Sequence, residues 1–240
     1  MPAPADHHAV LAAKYDALWI RSAPELRAGR ATLDAFALRK ADDARRGLTL
    51  IARPSVDVAA AMTAFLDELR ALEPAQYYQP AADLHLTVLS LFTATVEPGP
   101  YLAHLDTYRE AVVEATDGTG AIDVDFTGVT LAPAAVLARG FPRDDTLERL
   151  RDRLRAAIAA RGLGAALDGR YRLETAHATL VRFTAPLADP ARFVDAIDRA
   201  RGRAFGSCTI GQLTLELSDW YQSSETLETL GTFPLGRHAR

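Results

Sequence analysis

"DLHLTVLSLF" (residues 83–92) sets a histidine and a threonine two residues apart inside an apolar run. A run of this length and texture predicts a strand, and in a strand residues i and i+2 share a face. His85 and Thr87 therefore point the same way, an unusual pair for a strand that otherwise reads as core. The pattern returns 92 residues later in "ETAHATLVRF" (174–183), where His177 and Thr179 share a face. Two copies of one pattern, each on an expected strand, predict a duplicated unit. A duplicated unit predicts two similar lobes that face each other, with the two pairs meeting across one groove.

The neighbouring segments repeat in the same order. "LTLIARP" (48–54) reads as a strand ended by proline. The segment after it carries Met62, Phe65, Leu66, Leu69 and Leu72 as a helical stripe, with Ser55 or Asp57 as N-cap. "AVLARGFP" (135–142) is the corresponding second strand, followed by a helix through Leu147, Leu150, Leu154 and Ile158. After each histidine strand another helix is expected, one through Leu105, Tyr108 and Val112, the other capped by Asp189 with Pro190 at its first position. Strands are also expected over "IDVDFTGVTL" (122–131), over "CTIGQLTLELSDW" (208–220) as one run, and in "ETLETLGTFPL" (225–235). Residues 1–47 read as a helical extension, with a pattern at 8–20 and a weaker one at 24–46, ahead of a domain covering 48–240.

With 240 residues and 49% hydrophobic content, the chain can bury a sizeable core. Its formal net charge of −4 disfavours large-area binding of duplex DNA but leaves room for a small anion in a local pocket. One cysteine, Cys208, excludes a disulfide framework within the chain and reads as a small buried residue. No signal-peptide pattern or membrane-length apolar run is evident, so a cytoplasmic location is expected. Abundant arginine and alanine with only Lys14 and Lys40 suggest a GC-rich bacterial source.

Two imidazoles and two hydroxyls facing one groove suit phosphodiester chemistry. Imidazole exchanges protons near neutral pH, so one histidine serves as base and the other as acid. The Thr87 and Thr179 hydroxyls can donate to non-bridging phosphate oxygens. The chemistry needs no metal or cofactor. Tyr77, Tyr78, Trp220 and Tyr221 lie near expected strand ends, where they either stack a nucleobase or fill the core, the commoner role. Arg53 and Arg139 occupy matching positions and either flank the groove or sit as solvated strand ends. Strict alternation from His177 sends Arg182 to the opposite face. His7 and His8 read as a loose terminus without metal partners, His104 as exposed, and His238 as part of a frayed tail. "GLGAALDG" (162–169) follows a helix, where a phosphate loop would precede one.

These residues resemble the 2H phosphoesterase superfamily, defined by two His-x-Thr/Ser motifs, and within it bacterial proteins of the 2′-5′ RNA ligase and cyclic phosphodiesterase type. "YQPAADLHLTVLSLF" and "ETAHATLVRF" carry the resemblance, which spans about residues 48–236. The first strand lacks the family's usual polar or glycine-containing continuation, a departure that bears on substrate. The resemblance implies a bilobal α+β fold, two pseudo-symmetric lobes with antiparallel sheets flanked by helices around a central groove, and metal-independent action on 2′,3′-cyclic or 2′-5′ phosphodiesters of nucleotides or RNA ends. It makes His85 and His177 the acid/base pair, and Thr87 and Thr179 the phosphate-holding hydroxyls. Alternatives are a nucleotide-binding module without turnover and 2′-5′ ligation through the same groove.

Overall fold

Both histidine motifs lead directly into strands. The computed structural model describes residues 4–167 and 172–236; the expectation for His238 lies outside them, as does the end of "GLGAALDG". In chain order the elements are α1 (Pro4–Arg27), β1 (Arg46–Ala52), α2 (Val56–Leu72), β2 (Tyr77–Tyr78), β3 (Leu86–Thr95), α3 (Gly99–Leu102), α4 (Leu105–Thr116) and β4 (Ile122–Ala132). They continue with β5 (Ala135–Pro142), α5 (Thr146–Ala160), β6 (Ala178–Arg182), α6 (Pro190–Arg199), β7 (Ala204–Ile210), β8 (Gln212–Ser218) and β9 (Glu228–Pro234). The caps are those the sequence offers. Ser55 accepts from the Val58 amide, and Asp189 accepts from the Arg192 amide ahead of Pro190.

The strands form one antiparallel sheet in the order β7-β4-β5-β6-β3-β1-β8-β9, with β2 paired to β6. Matching β1 with β5, β3 with β6, β8 with β4 and β9 with β7 makes that order a palindrome. Its centre is the β3–β6 contact, where the described pairing is Leu86 opposite Ala178. The two halves are thus related by a pseudo-twofold passing through one residue pair. Each half also borrows from the other. β4 follows α4 in the first half of the chain but pairs with β5 and β7, whereas β8 comes late and pairs with β1.

One apolar core runs beneath both halves and includes Leu50, Leu86, Val88, Leu180, Phe183 and Phe193. Burying a side chain of this size contributes about 1.5–3 kcal/mol. Helices α2, α4, α5 and α6 cover this face: α2 buries Val58, Met62, Phe65, Leu66 and Leu69, and α5 buries Leu147, Leu150, Leu154 and Ile158. The other face carries the histidines.

Three expectations change. The weak helical pattern over 24–46 ends at Arg27, and residues 28–45 form a strap broken by a single helical turn at Lys40–Asp42. The run 208–220 is two strands, because Gly211 interrupts it and β7 and β8 go to opposite ends of the sheet. His7 and His8 lie on α1, where His8 stacks on Phe141 with ring centroids 4.3 Å apart. Among the described residues no helix is long and apolar enough to cross a membrane.

Candidate active site

Leu86 and Ala178 face each other across the pseudo-twofold and point into the core, 1% and 0% exposed. Alternation then turns His85, Thr87, His177 and Thr179 to the opposite face. Antiparallel register around that pair sets His85 across from Thr179 and Thr87 across from His177, on strands about 5 Å apart. All four side chains are half-buried. Ile51, paired with Thr87, and Leu137, paired with Thr179, are buried beside the two hydroxyls.

Each histidine strand then departs from alternation at the same point. Leu50 pairs with Leu89 and Ile51 with Thr87, leaving Val88 as an extra residue. Val136 pairs with Val181 and Leu137 with Thr179, leaving Leu180 extra. These are β-bulges. Beyond them, position +5 from each histidine returns to the histidine's face: Ser90 in one half, Arg182 in the other. Arg182 therefore faces the groove, contrary to strict alternation. The signal lay in the consecutive apolar pairs Val88-Leu89 and Leu180-Val181, all four of which are core residues.

The imidazoles are held differently. The Nδ1–H of His85 donates to the Asp83 carbonyl, 2.7 Å away. A carbonyl can only accept, so Nδ1 carries the proton and neutral His85 keeps its lone pair on Nε2. His177 Nδ1 lies 2.8 Å from the Thr175 hydroxyl, which can donate or accept, so both tautomers are open to it. Burial pushes both imidazoles down, each to about 4, and the nearby cations add to this. Arg53 and Arg182 act on His85; Arg151 and Arg182 act on His177, and a charge on His85 would oppose a second one there. Both imidazoles are neutral at pH 7.

Arg151, a buried residue of α5, reaches up from below the sheet. Its Nε donates to the Val88 carbonyl at 2.8 Å, and its Nη2 to the carbonyls of Thr87 at 2.9 Å and Thr175 at 2.8 Å. One guanidinium thus ties the first histidine strand to the segment entering the second. Tyr15 of α1 acts from the other side. Its hydroxyl accepts from the amides of Gly140 and Ala176 and donates to the Gly140 carbonyl. A Cβ on Gly140 would lie 2.0 Å from the Ala176 carbonyl oxygen, so the chain entering His177 requires glycine there.

Arg182 has Asp34 of the strap 3.8 Å away and the Tyr221 and Trp220 rings at 5.3 and 5.9 Å. Its Nε is buried without a hydrogen-bond partner among the described residues, and burial disfavours its charge. Arg53 donates to the Ala82 carbonyl and to both oxygens of buried Glu216 at the edge of the groove. Tyr221 is buried, with its hydroxyl donating to Asp34 at 2.6 Å.

Two candidates lie elsewhere. Tyr78 pairs with Val181 and faces the core, where its hydroxyl donates to the Glu73 carbonyl. Its neighbour Tyr77, opposite Arg182, is the tyrosine on the groove face. Arg139 donates to the carbonyls of Thr127 and Arg201 and lies near Asp16 of α1, so its guanidinium ties α1 and the α6–β7 turn to the sheet. His104 is exposed and Cys208 buried, as expected.

No family model matches the sequence, and no curated protein matches it. Solved structures match by shape. TT0787 of Thermus thermophilus superposes with a TM-score of 0.56 at 20% identity, covering 81% of this chain and 99% of that one. A structure described as a phosphoesterase gives 0.54 at 15% identity over 80% and 99% of the two chains. LigT of E. coli complexed with NADP+ gives 0.53 at 15% identity over 80% and 99%. LigT also has structures with phosphate, 3′-AMP and ATP. The chain therefore has the 2H phosphoesterase-like fold implied by its two motifs. Each neighbour is spanned almost end to end, whereas part of this chain has no counterpart in them.

Proposed function

We propose that the chain is a phosphoesterase of the 2H type that opens 2′,3′-cyclic or 2′-5′ phosphodiester bonds of small nucleotides or RNA ends. The observation that carries this reading is the pairing of Leu86 with Ala178 at the centre of the sheet, because antiparallel register around it sets His85 across from Thr179 and Thr87 across from His177. It gives a tetrahedral phosphate an imidazole and a hydroxyl on each side, with Arg182 along the same face.

In hydrolysis, water attacks phosphorus. One imidazole takes the water proton as the new O–P bond forms, and the other gives a proton to the departing sugar oxygen as the old P–O bond breaks. The threonine hydroxyls and Arg182 donate to the non-bridging oxygens, which carry the growing charge. This division needs one imidazole protonated. Burial keeps both neutral at pH 7, but a phosphodiester monoanion between them favours imidazolium, so substrate brings a proton with it. Neutral His85 presents a bare Nε2, the form a base needs. In the reverse, ligating direction the same two residues exchange roles. The acidic net charge favours a small nucleotide or a strand end over long RNA.

The test is turnover of nucleoside 2′,3′-cyclic phosphates in EDTA by the wild type, His85→Ala and His177→Ala. The expected result is activity unaffected by EDTA and a loss of roughly 10²-fold or more in each variant. Activity that survives both substitutions in folded protein places the chemistry elsewhere.

A further inference from the structure

The strap over residues 28–45 lies outside the stretch that resembles the family, yet it builds part of the groove wall. It is held there firmly. The Thr32 amide donates to the Pro133 carbonyl at 2.8 Å, and the Asp34 amide to the Phe183 carbonyl at 2.7 Å. Ala37 is buried against Tyr77 and Tyr221. Lys40 sits 4.8 Å from the Tyr77 ring centre and 3.9 Å from Asp83, whose carbonyl orients His85.

Asp34 is the residue through which the strap acts on the groove. Its Oδ1 accepts from the amides of Phe36 and Ala37, both at 3.1 Å, and from the Tyr221 hydroxyl at 2.6 Å. Its Oδ2 lies 3.8 Å from Arg182, close enough for strong attraction but too far for a hydrogen bond. The two side chains are only 12% and 18% exposed, so water and salt screen the pair weakly. The carboxylate is thus fixed by its own donors and leaves the Arg182 N–H groups to another acceptor. We propose that Asp34 is a specificity residue that tunes the groove toward singly charged phosphodiesters and against doubly charged phosphomonoesters, the product of the activity proposed above, on which this reading rests.

The argument is electrostatic. A ligand's interaction with the groove scales with its own charge times the local potential. Asp34 lowers the positive potential at Arg182, which costs a dianion twice what it costs a monoanion. Hydrolysis turns a diester of one negative charge into a monoester that carries nearly two above its second pKa of about 6. The product therefore meets more opposition than the substrate and leaves more readily. Asp34 does not touch the reacting atoms; it acts through Arg182.

Asp34→Asn isolates the charge, because the amide oxygen keeps all three acceptor roles. Asp34→Ser, which retains an acceptor at the turn, replaces it if the asparagine variant does not fold. Binding of a nucleoside 2′,3′-cyclic phosphate and of the matching 3′-monophosphate is measured by calorimetry at pH 8. The His177→Ala background is used so that the cyclic ligand survives. Expected is a gain of roughly threefold for the cyclic ligand and roughly tenfold for the monoester, a factor and its square. Equal factors, or weaker binding of both, remove Asp34 from specificity. The squared ratio without turnover in the wild type leaves this inference standing and removes the proposed activity. Turnover with equal factors does the reverse. Binding of neither ligand overturns this inference, and together with no turnover in the wild type it overturns both.

Discussion

His85 and His177 are costly residues to keep where they are. In an unfolded chain an imidazole binds a proton near pH 6.5; in this fold each does so near 4. Between those values the unfolded chain holds more protons, so stability is full above about 6.5 and drains as pH falls toward 4. Each imidazole removes up to about 1.4 kcal/mol of stability for every pH unit of fall through that window. Unfolding in urea from pH 7.5 to 4 should therefore show a steeper acid loss in wild type than in His85→Ala/His177→Ala, whatever their absolute stabilities. Parallel pH dependences would mean the imidazoles are not buried neutral. At this scale the motif histidines and threonines were legible, because a period of two is easily read. Tyr78 and Arg182 were not, for one reason. The face a strand residue takes depends on register, and a single extra residue in each histidine strand reverses the pattern beyond it. The doubled apolar residues after each motif threonine mark where that happens.

At the scale of elements, three pieces converge on the seam between β3 and β6. The sheet itself offers little there, a single described residue pair. Arg151 from α5 supplies the missing connection with three hydrogen bonds to carbonyls on both sides. Bonds from a charged donor are worth about 1.5–3 kcal/mol each. Arg151 also opposes protonation of His177. Arg151→Met should lower the melting temperature and kcat, and should shift the His177 limb of the pH–rate profile upward. Arg151→Lys, which keeps the charge but not the fork, should lose kcat with a smaller shift. A destabilised Arg151→Met with an unchanged pH profile would make the residue purely structural. Helix α1 fixes the other side of the seam through Tyr15, whose burial lifts its phenol to about 12 and keeps it a neutral donor. Neither role was visible in sequence. Arg151 reads as one more polar residue of an amphipathic helix, and Tyr15 as one apolar position of another, because helical periodicity does not reveal long-range partners.

For the whole molecule, the duplication was legible and the exchange of strands was not. Repeated order predicts two halves, but nothing local says that β4 joins the second and β8 the first. Reading 208–220 as one strand hid the crossing at Gly211. Because of the exchange, neither half has a complete sheet of its own chain. Cut at the β4–β5 turn, fragments 1–133 and 134–240 should each remain without native circular dichroism, and should regain it, together with the activity of the intact chain, on mixing. A fragment that folds alone would show that the exchanged strands are dispensable. The same exchange sets a timetable for the growing chain on the ribosome. β8 begins 160 residues after β1 ends. At about 5–20 residues per second, the outer edge of β1 waits roughly 8 to 30 seconds for its neighbour. Throughout that interval the nascent protein carries an open, apolar strand edge, the kind of surface on which chains stick to one another. Its yield in a cell should thus depend on how fast it is translated and on which chaperones attend the exit tunnel.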